Sequence, residues 1–114
     1  MSINSTIRAA VTPIVAVCKP DVYIPAQGET PATEYCTFNY SELPEVFADG
    51  KPDAIRYLVQ LHWMFPKDTI PFSKKKQIKN ALLNSGFTYP SVTNASDSDG
   101  GHLIFETEYA DGEV

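Results

Sequence analysis

The nine residues Tyr57–Phe65, Tyr-Leu-Val-Gln-Leu-His-Trp-Met-Phe, constrain the fold more than any other part of the chain. Side chains in a strand alternate between two faces, so Tyr57, Val59, Leu61, Trp63 and Phe65 point one way. Gln60 and His62 point the other way, and Leu58 and Met64 leave that second face only partly polar. A strand this long and aromatic requires a central position in a sheet, with one face fully covered. Pro66 to Pro71 ends it, and the run Ser73-Lys-Lys-Lys-Gln-Ile-Lys79 then opens a helix.

The rest of the chain supplies the cover. With 114 residues, 43% of them hydrophobic, there is material for one sheet-and-helix core. A domain of this size buries roughly 65% of the surface its unfolded chain exposes, enough to hold without metals or disulfides. Ile3, Ile7, Ala10, Val11 and Ile14 recur at helical spacing and predict a helix over 2–11, ended by Pro13. Ile14 to Cys18 is a possible first strand, and Val22 to Ile24 a short extended piece before a loop carrying Pro25, Gly28 and Pro31. Glu34 to Tyr40 alternates, with Cys36, Phe38 and Tyr40 inward and Tyr35, Thr37 and Asn39 outward. Leu43 to Asp53 reads as a long acidic loop, too polar for a tight hairpin, and the central strand as 54–65.

Ser73 is the expected N-cap of a helix through Ser85, with Ile78, Ala81, Leu82 and Ser85 inward and Gly86 as the left-handed residue after it. Thr88 to Val92 is short and extended. Asn94 to Gly101 is a polar turn. His102 to Tyr109 is the last strand, with Leu103, Phe105, Thr107 and Tyr109 on one face, and Ala110 to Val114 is a frayed tail. The expectation is a single α+β domain over 1–114, a mainly antiparallel or mixed sheet of four or five strands with two helices packed on one face.

Chemistry is sparse. The net charge of −5 and pI of about 4.8 argue against general or sequence-specific nucleic-acid binding, which needs a basic face. No apolar run approaches the roughly 20 residues of a membrane span, and the first residues lack the pattern of a secretion signal. Without such a signal the three Asn-x-Ser/Thr matches, at Asn4, Asn39 and Asn94, are expected to be chance. A cytoplasmic origin is the corresponding expectation. Cys18 and Cys36 show no metal spacing and are expected to be buried and reduced. Asp97, Asp99, Gly100 and Glu106 fall at four positions of an EF-hand loop, but Ala95 occupies the first ligand place and no helix enters, so a polar turn without calcium is expected. His62 and His102 have no partner within view of the sequence. No catalytic, cofactor-binding or metal-binding residue is therefore expected, and no enzyme activity.

Charge is the distinctive feature. Five of the nine basic residues lie at Lys67, Lys74, Lys75, Lys76 and Lys79, and Asp97, Asp99, Glu106, Glu108, Asp111 and Glu113 make the last 18 residues purely acidic. The plain account is two solvated faces. The sharper account is that basic and acidic surfaces, Glu106 and Glu108 among the latter, meet head-to-tail between copies. Leu43, Val46 and Phe47, apolar residues in the acidic loop, are candidates for docking on a partner.

Several runs carry a resemblance. Phe38-Asn-Tyr-Ser-Glu-Leu-Pro44, Phe47-Ala-Asp-Gly-Lys-Pro52, Tyr57-Leu-Val-Gln-Leu-His62, Lys75-Lys-Gln-Ile-Lys-Asn-Ala-Leu82, Gly86-Phe-Thr-Tyr-Pro90 and Asp97-x-Asp99-Gly-Gly-His-Leu-Ile-Phe-Glu106 resemble the neck and tail-completion proteins of tailed bacteriophages and prophages. The resemblance covers roughly residues 34–109. It implies a tail-terminator-like subunit of a ring, commonly of six copies, that caps the tail tube and meets the head connector. The implied location is the host cytoplasm during assembly and then the virion neck. A head–tail adaptor or head-closure role belongs to the same class, and a small non-catalytic binding module is the alternative outside it. The resemblance brings no cofactor and no individual site residue.

Overall fold

The computed structural model describes residues 2–48 and 51–111, the side chains of 43–48, 51–54 and 111 excepted. The central strand, Lys51–Phe65, is flanked by Tyr35–Ala48 on one side and Gly101–Asp111 on the other, both antiparallel to it. Leu61 sits opposite Phe38 and Phe105, and all three are completely buried. Trp63 stands in the next row between Cys36 and Leu103. Burying each of these side chains contributes about 1.5–3 kcal/mol, so these rows are the main source of stability in the sheet.

In chain order the elements are α1 (Ile3–Val11), β1 (Cys18–Pro20), β2 (Tyr35–Ala48), β3 (Lys51–Phe65), α2 (Phe72–Asn84), β4 (Ser91–Asn94) and β5 (Gly101–Asp111). The sheet order is β1-β2-β3-β5-β4, with β1 parallel to β2 and every other pair antiparallel. This is an α+β fold, a mixed five-stranded sheet with helices packed on it. Ile3, Ile7 and Val11 of α1 and Ile78 and Leu82 of α2 join one buried cluster with Phe38, Leu61, Trp63 and Phe105. Tyr40 Oη donates to Asn4 Oδ1 at 2.7 Å and ties α1 to β2.

Both helix ends follow their sequences. Ser2 Oγ accepts the backbone N–H of Ser5 and caps α1. At the end of α2, Phe87 N–H donates to the Leu82 carbonyl and Gly86 N–H to that of Leu83, while Gly86 takes φ 96°. That pair of bonds is a Schellman closure, and Phe87 and Leu82, both buried, make its apolar contact.

Three expectations need correction. The N-cap position of α2 is Pro71, not Ser73; the Pro71 carbonyl closes the first turn onto Lys75 N–H, and Ser73 Oγ instead accepts from Gln77 Nε2. The first strand is Cys18–Pro20 rather than 14–18, because Ile14 and Val15 both turn their N–H groups back to the Val11 carbonyl. The short strand before the polar turn is Ser91–Asn94, a few residues later than 88–92. Thr37 faces outward as expected, opposite His62, and is buried there.

The largest correction concerns 43–53. It is not a loop: β2 and β3 continue through it as a two-stranded ribbon, paired from Leu43↔Arg56 to Ala48↔Lys51, with irregular register at Pro44/Val46 and Val46/Phe47. Two prolines fit there because the ribbon has no further neighbours. Strand β1 covers only 36–38 of β2, and β5 reaches only to Ile55 of β3. The radius of gyration is 15.5 Å, against about 13 Å for a spherical domain of this length, and the extents are 53 × 32 × 23 Å. The side chains of Leu43, Val46 and Phe47, proposed above as docking residues, lie outside the described residues, as do residues 112–114 of the tail.

Candidate interaction surfaces

The two layers give the molecule two different sides. On the sheet side, the face away from the helices carries Asn39, Ser41, Leu58, Gln60, His62, Met64, Ile104, Glu106 and Glu108, since these alternate with the buried positions. A shallow trough of about 460 Å³ runs along it between Asn39, Leu58, Gln60, Ser91 and Glu106. Glu106 is exposed, and Glu108 Oε1 meets Arg56 Nε at 3.4 Å.

Two residues that the sequence left apart come together here. Because Met64 pairs with His102 and His62 with Ile104, the two histidines are diagonal neighbours on one face. Their rings lie 5.1 Å apart, with His62 Nδ1 2.8 Å from His102 Nε2. Burial and the adjacent His102 together push the pKa of His62 below its ordinary value, while Glu106 opposes them. Only the strand register reveals this pair; forty residues separate the two positions.

On the helix side, α2 turns Ile78 and Leu82 inward. Phe72, Lys76, Lys79 and Leu83, spaced by four, three and four, form an outward stripe. Phe72 is 71% exposed, Tyr89 56% and Leu83 47%. Lys75 Nζ lies 5.5 Å from the centre of the Phe72 ring, and Lys79 Nζ 4.9 Å from that of Tyr89. Lys67 and Lys76 are exposed. The aromatic members of this surface escaped the sequence reading because exposure of single residues leaves no periodic signal.

Lys74 has a different job. Its ammonium donates to Glu34 Oε1 at 2.7 Å, and Glu34 Oε2 accepts the indole N–H of buried Trp63 at 3.0 Å. A carboxylate shared by a cation and a buried indole anchors the start of α2 to the sheet. This lysine is therefore a structural tie rather than a free contact for another chain.

Other candidates resolve simply. Asp97 Oδ1 accepts the N–H groups of Asp99 and Gly100, and Asn94 Oδ1 that of Ser96, so the Asp-rich segment is a self-satisfied turn. Cys18 and Cys36 are buried free thiols on adjacent positions of the parallel pair. Burial pushes the Cys18 thiol up to about 11 and the Cys36 thiol higher still, with Cys18 adding to the latter effect. Among the described residues, no three His, Cys, Asp or Glu side chains gather as a metal cage, and no helix is long and apolar enough to cross a membrane. In comparisons with known proteins, no family model and no curated protein matches the chain.

Proposed function

We propose that this chain is a structural, non-catalytic assembly subunit that forms a ring with copies of itself at the neck or tail of a phage particle, in the manner of a tail terminator. The observation that carries the reading is the placement of its charges. The lysine-bearing, aromatic stripe of α2 lies on one layer and Glu106 and Glu108 on the other, facing away from each other within one copy. Such surfaces can meet only between copies, head-to-tail, and a head-to-tail contact closes into a ring when its rotation fits. Exposed Phe72 and Tyr89 supply the aromatic area that interface centres favour. Opposite charge sets the orientation and speeds encounter. The resemblance of residues 34–109 to neck and tail-completion proteins supplies the setting: the ring caps the tail tube and presents a surface to the head connector.

The test is the triple variant Lys75→Glu, Lys76→Glu, Lys79→Glu, which spares the Lys74–Glu34 tie. Concentrated wild-type protein, alone or mixed with tail tubes, should show annuli in negative-stain images, and the variant should show none while keeping its circular dichroism. A wild-type chain that stays monomeric and ignores tail tubes, or a variant that assembles unchanged, would refute the reading.

A further inference from the structure

We propose that His62 and His102 form a two-nitrogen chelate for a late first-row divalent cation, Cu²⁺ or Ni²⁺ in preference, on the open face of the sheet. The inference is independent of the ring reading. It rests on how the two rings are held. Register places them diagonally across β3 and β5, and His62 Nδ1 faces His102 Nε2 at 2.8 Å in a partly buried setting. A metal–imidazole bond is about 2.0–2.1 Å long, so two nitrogens in cis positions of a tetragonal or octahedral ion stand about 2.9 Å apart. Tetrahedral coordination would need about 3.4 Å by the same geometry, which is why zinc is the poorer fit. The separation of the two nitrogens thus already matches a cis pair, and to pass from sharing a proton to sharing a cation each ring tilts so that its lone pair points to an ion beside the line joining the nitrogens.

The exchange balances without loss of charge from the protein. In the metal-free pair one neutral imidazole donates its N–H to the lone pair of the other. On binding, that hydrogen moves through solvent to the far nitrogen of its own ring, and both facing nitrogens then offer lone pairs. No other side-chain hydrogen bond holds either ring among the described residues, so each far nitrogen is free to carry the hydrogen. Glu106 stands diagonal to His62 on its other side, since Gln60 pairs with Glu106, and its negative charge favours a cation there. The remaining coordination positions face the open side of the sheet, where water fills them.

Titration calorimetry of untagged, chelator-treated protein with NiCl₂ and with CuCl₂ at pH 7.5 tests this. One ion per chain is expected, bound at least tenfold more tightly than by His62→Gln or His102→Gln, and the Cu²⁺ spectrum by electron paramagnetic resonance should show two coordinated nitrogens. Glu106→Gln should keep the stoichiometry and weaken affinity severalfold. Should a histidine variant fail to fold, Zn²⁺ or Ni²⁺ added to the wild type must still perturb the His62 and His102 resonances before any others. Wild-type affinity no greater than that of the variants, or a metal effect centred elsewhere, would overturn the proposal.

Discussion

Leu61→Ala against Leu58→Ala is the sharpest test of the fold, because the two leucines share one strand and differ only in face. Leu61 is completely buried between Phe38 and Phe105, whereas Leu58 is 39% exposed on the open side. Truncating a buried leucine removes its transfer free energy and leaves a cavity that rigid neighbours only partly fill, a cost of about 2–5 kcal/mol. Two aromatic rings lock the Leu61 site from both sides, so the expected loss is about 3–4 kcal/mol. A domain of this length has ~6–17 kcal/mol in total. At about 4 °C per kcal/mol, the loss corresponds to a fall in melting temperature of roughly 12–16 °C. Leu58→Ala should cost less than about 1 kcal/mol. Urea titrations followed by Trp63 fluorescence measure both, with the slope unchanged as the check on a two-state transition. A larger loss at Leu58 would mean that β3 is paired one residue out of register, which exchanges its faces entirely, and equal losses would refute the difference in burial between the two sites.

Three further outcomes are expected. Glu34→Ala leaves the buried Trp63 indole without its acceptor and Lys74 without its partner, and should lower stability by about 1–2 kcal/mol in urea titrations; Glu34→Gln, which keeps an acceptor for the indole, should lose less. Gly86→Ala places a Cβ at φ 96° and 3.3 Å from Tyr109 Cε1, and should cost at least about 1 kcal/mol, seen as a lower urea midpoint. The Cys18 thiol is raised in the folded state, so its contribution is complete below pH 9 and is lost as pH rises toward 11. Between pH 8 and pH 10.5 the Cys18 share of the loss should be about 2 kcal/mol; Cys18→Ala should lose less than the wild type by about that amount, and the remaining loss, carried by the still more strongly raised Cys36, should disappear only when Cys36 is replaced as well, all read from urea midpoints.

What the sequence revealed depended on range. The faces of β3 and β5, helix α1 and the Gly86 closure were legible because periodicity and capping are local. The ribbon at 43–54 was not: Pro44, Asp49, Gly50, Pro52 and Asp53 have the composition of a loop, and only an edge without further neighbours lets proline sit in paired strands. Lys74 looked like its neighbours in the lysine run, since nothing local marks a partner forty positions earlier. The histidine pair was hidden for the same reason, as it exists only through the β3–β5 register.

The position of β5 between β3 and β4 also governs the order in which the chain can acquire its shape. Strand β4 is synthesised earlier, yet its pairing in the sheet is with β5 alone, and the Leu61 and Trp63 rows stay open on one side until Phe105 and Leu103 arrive. A nascent chain stopped before residue 101 therefore carries an unroofed aromatic surface and a stranded segment. Such an intermediate is a target for chaperones, and folding is deferred until the ribosome has delivered nearly all of the described sequence.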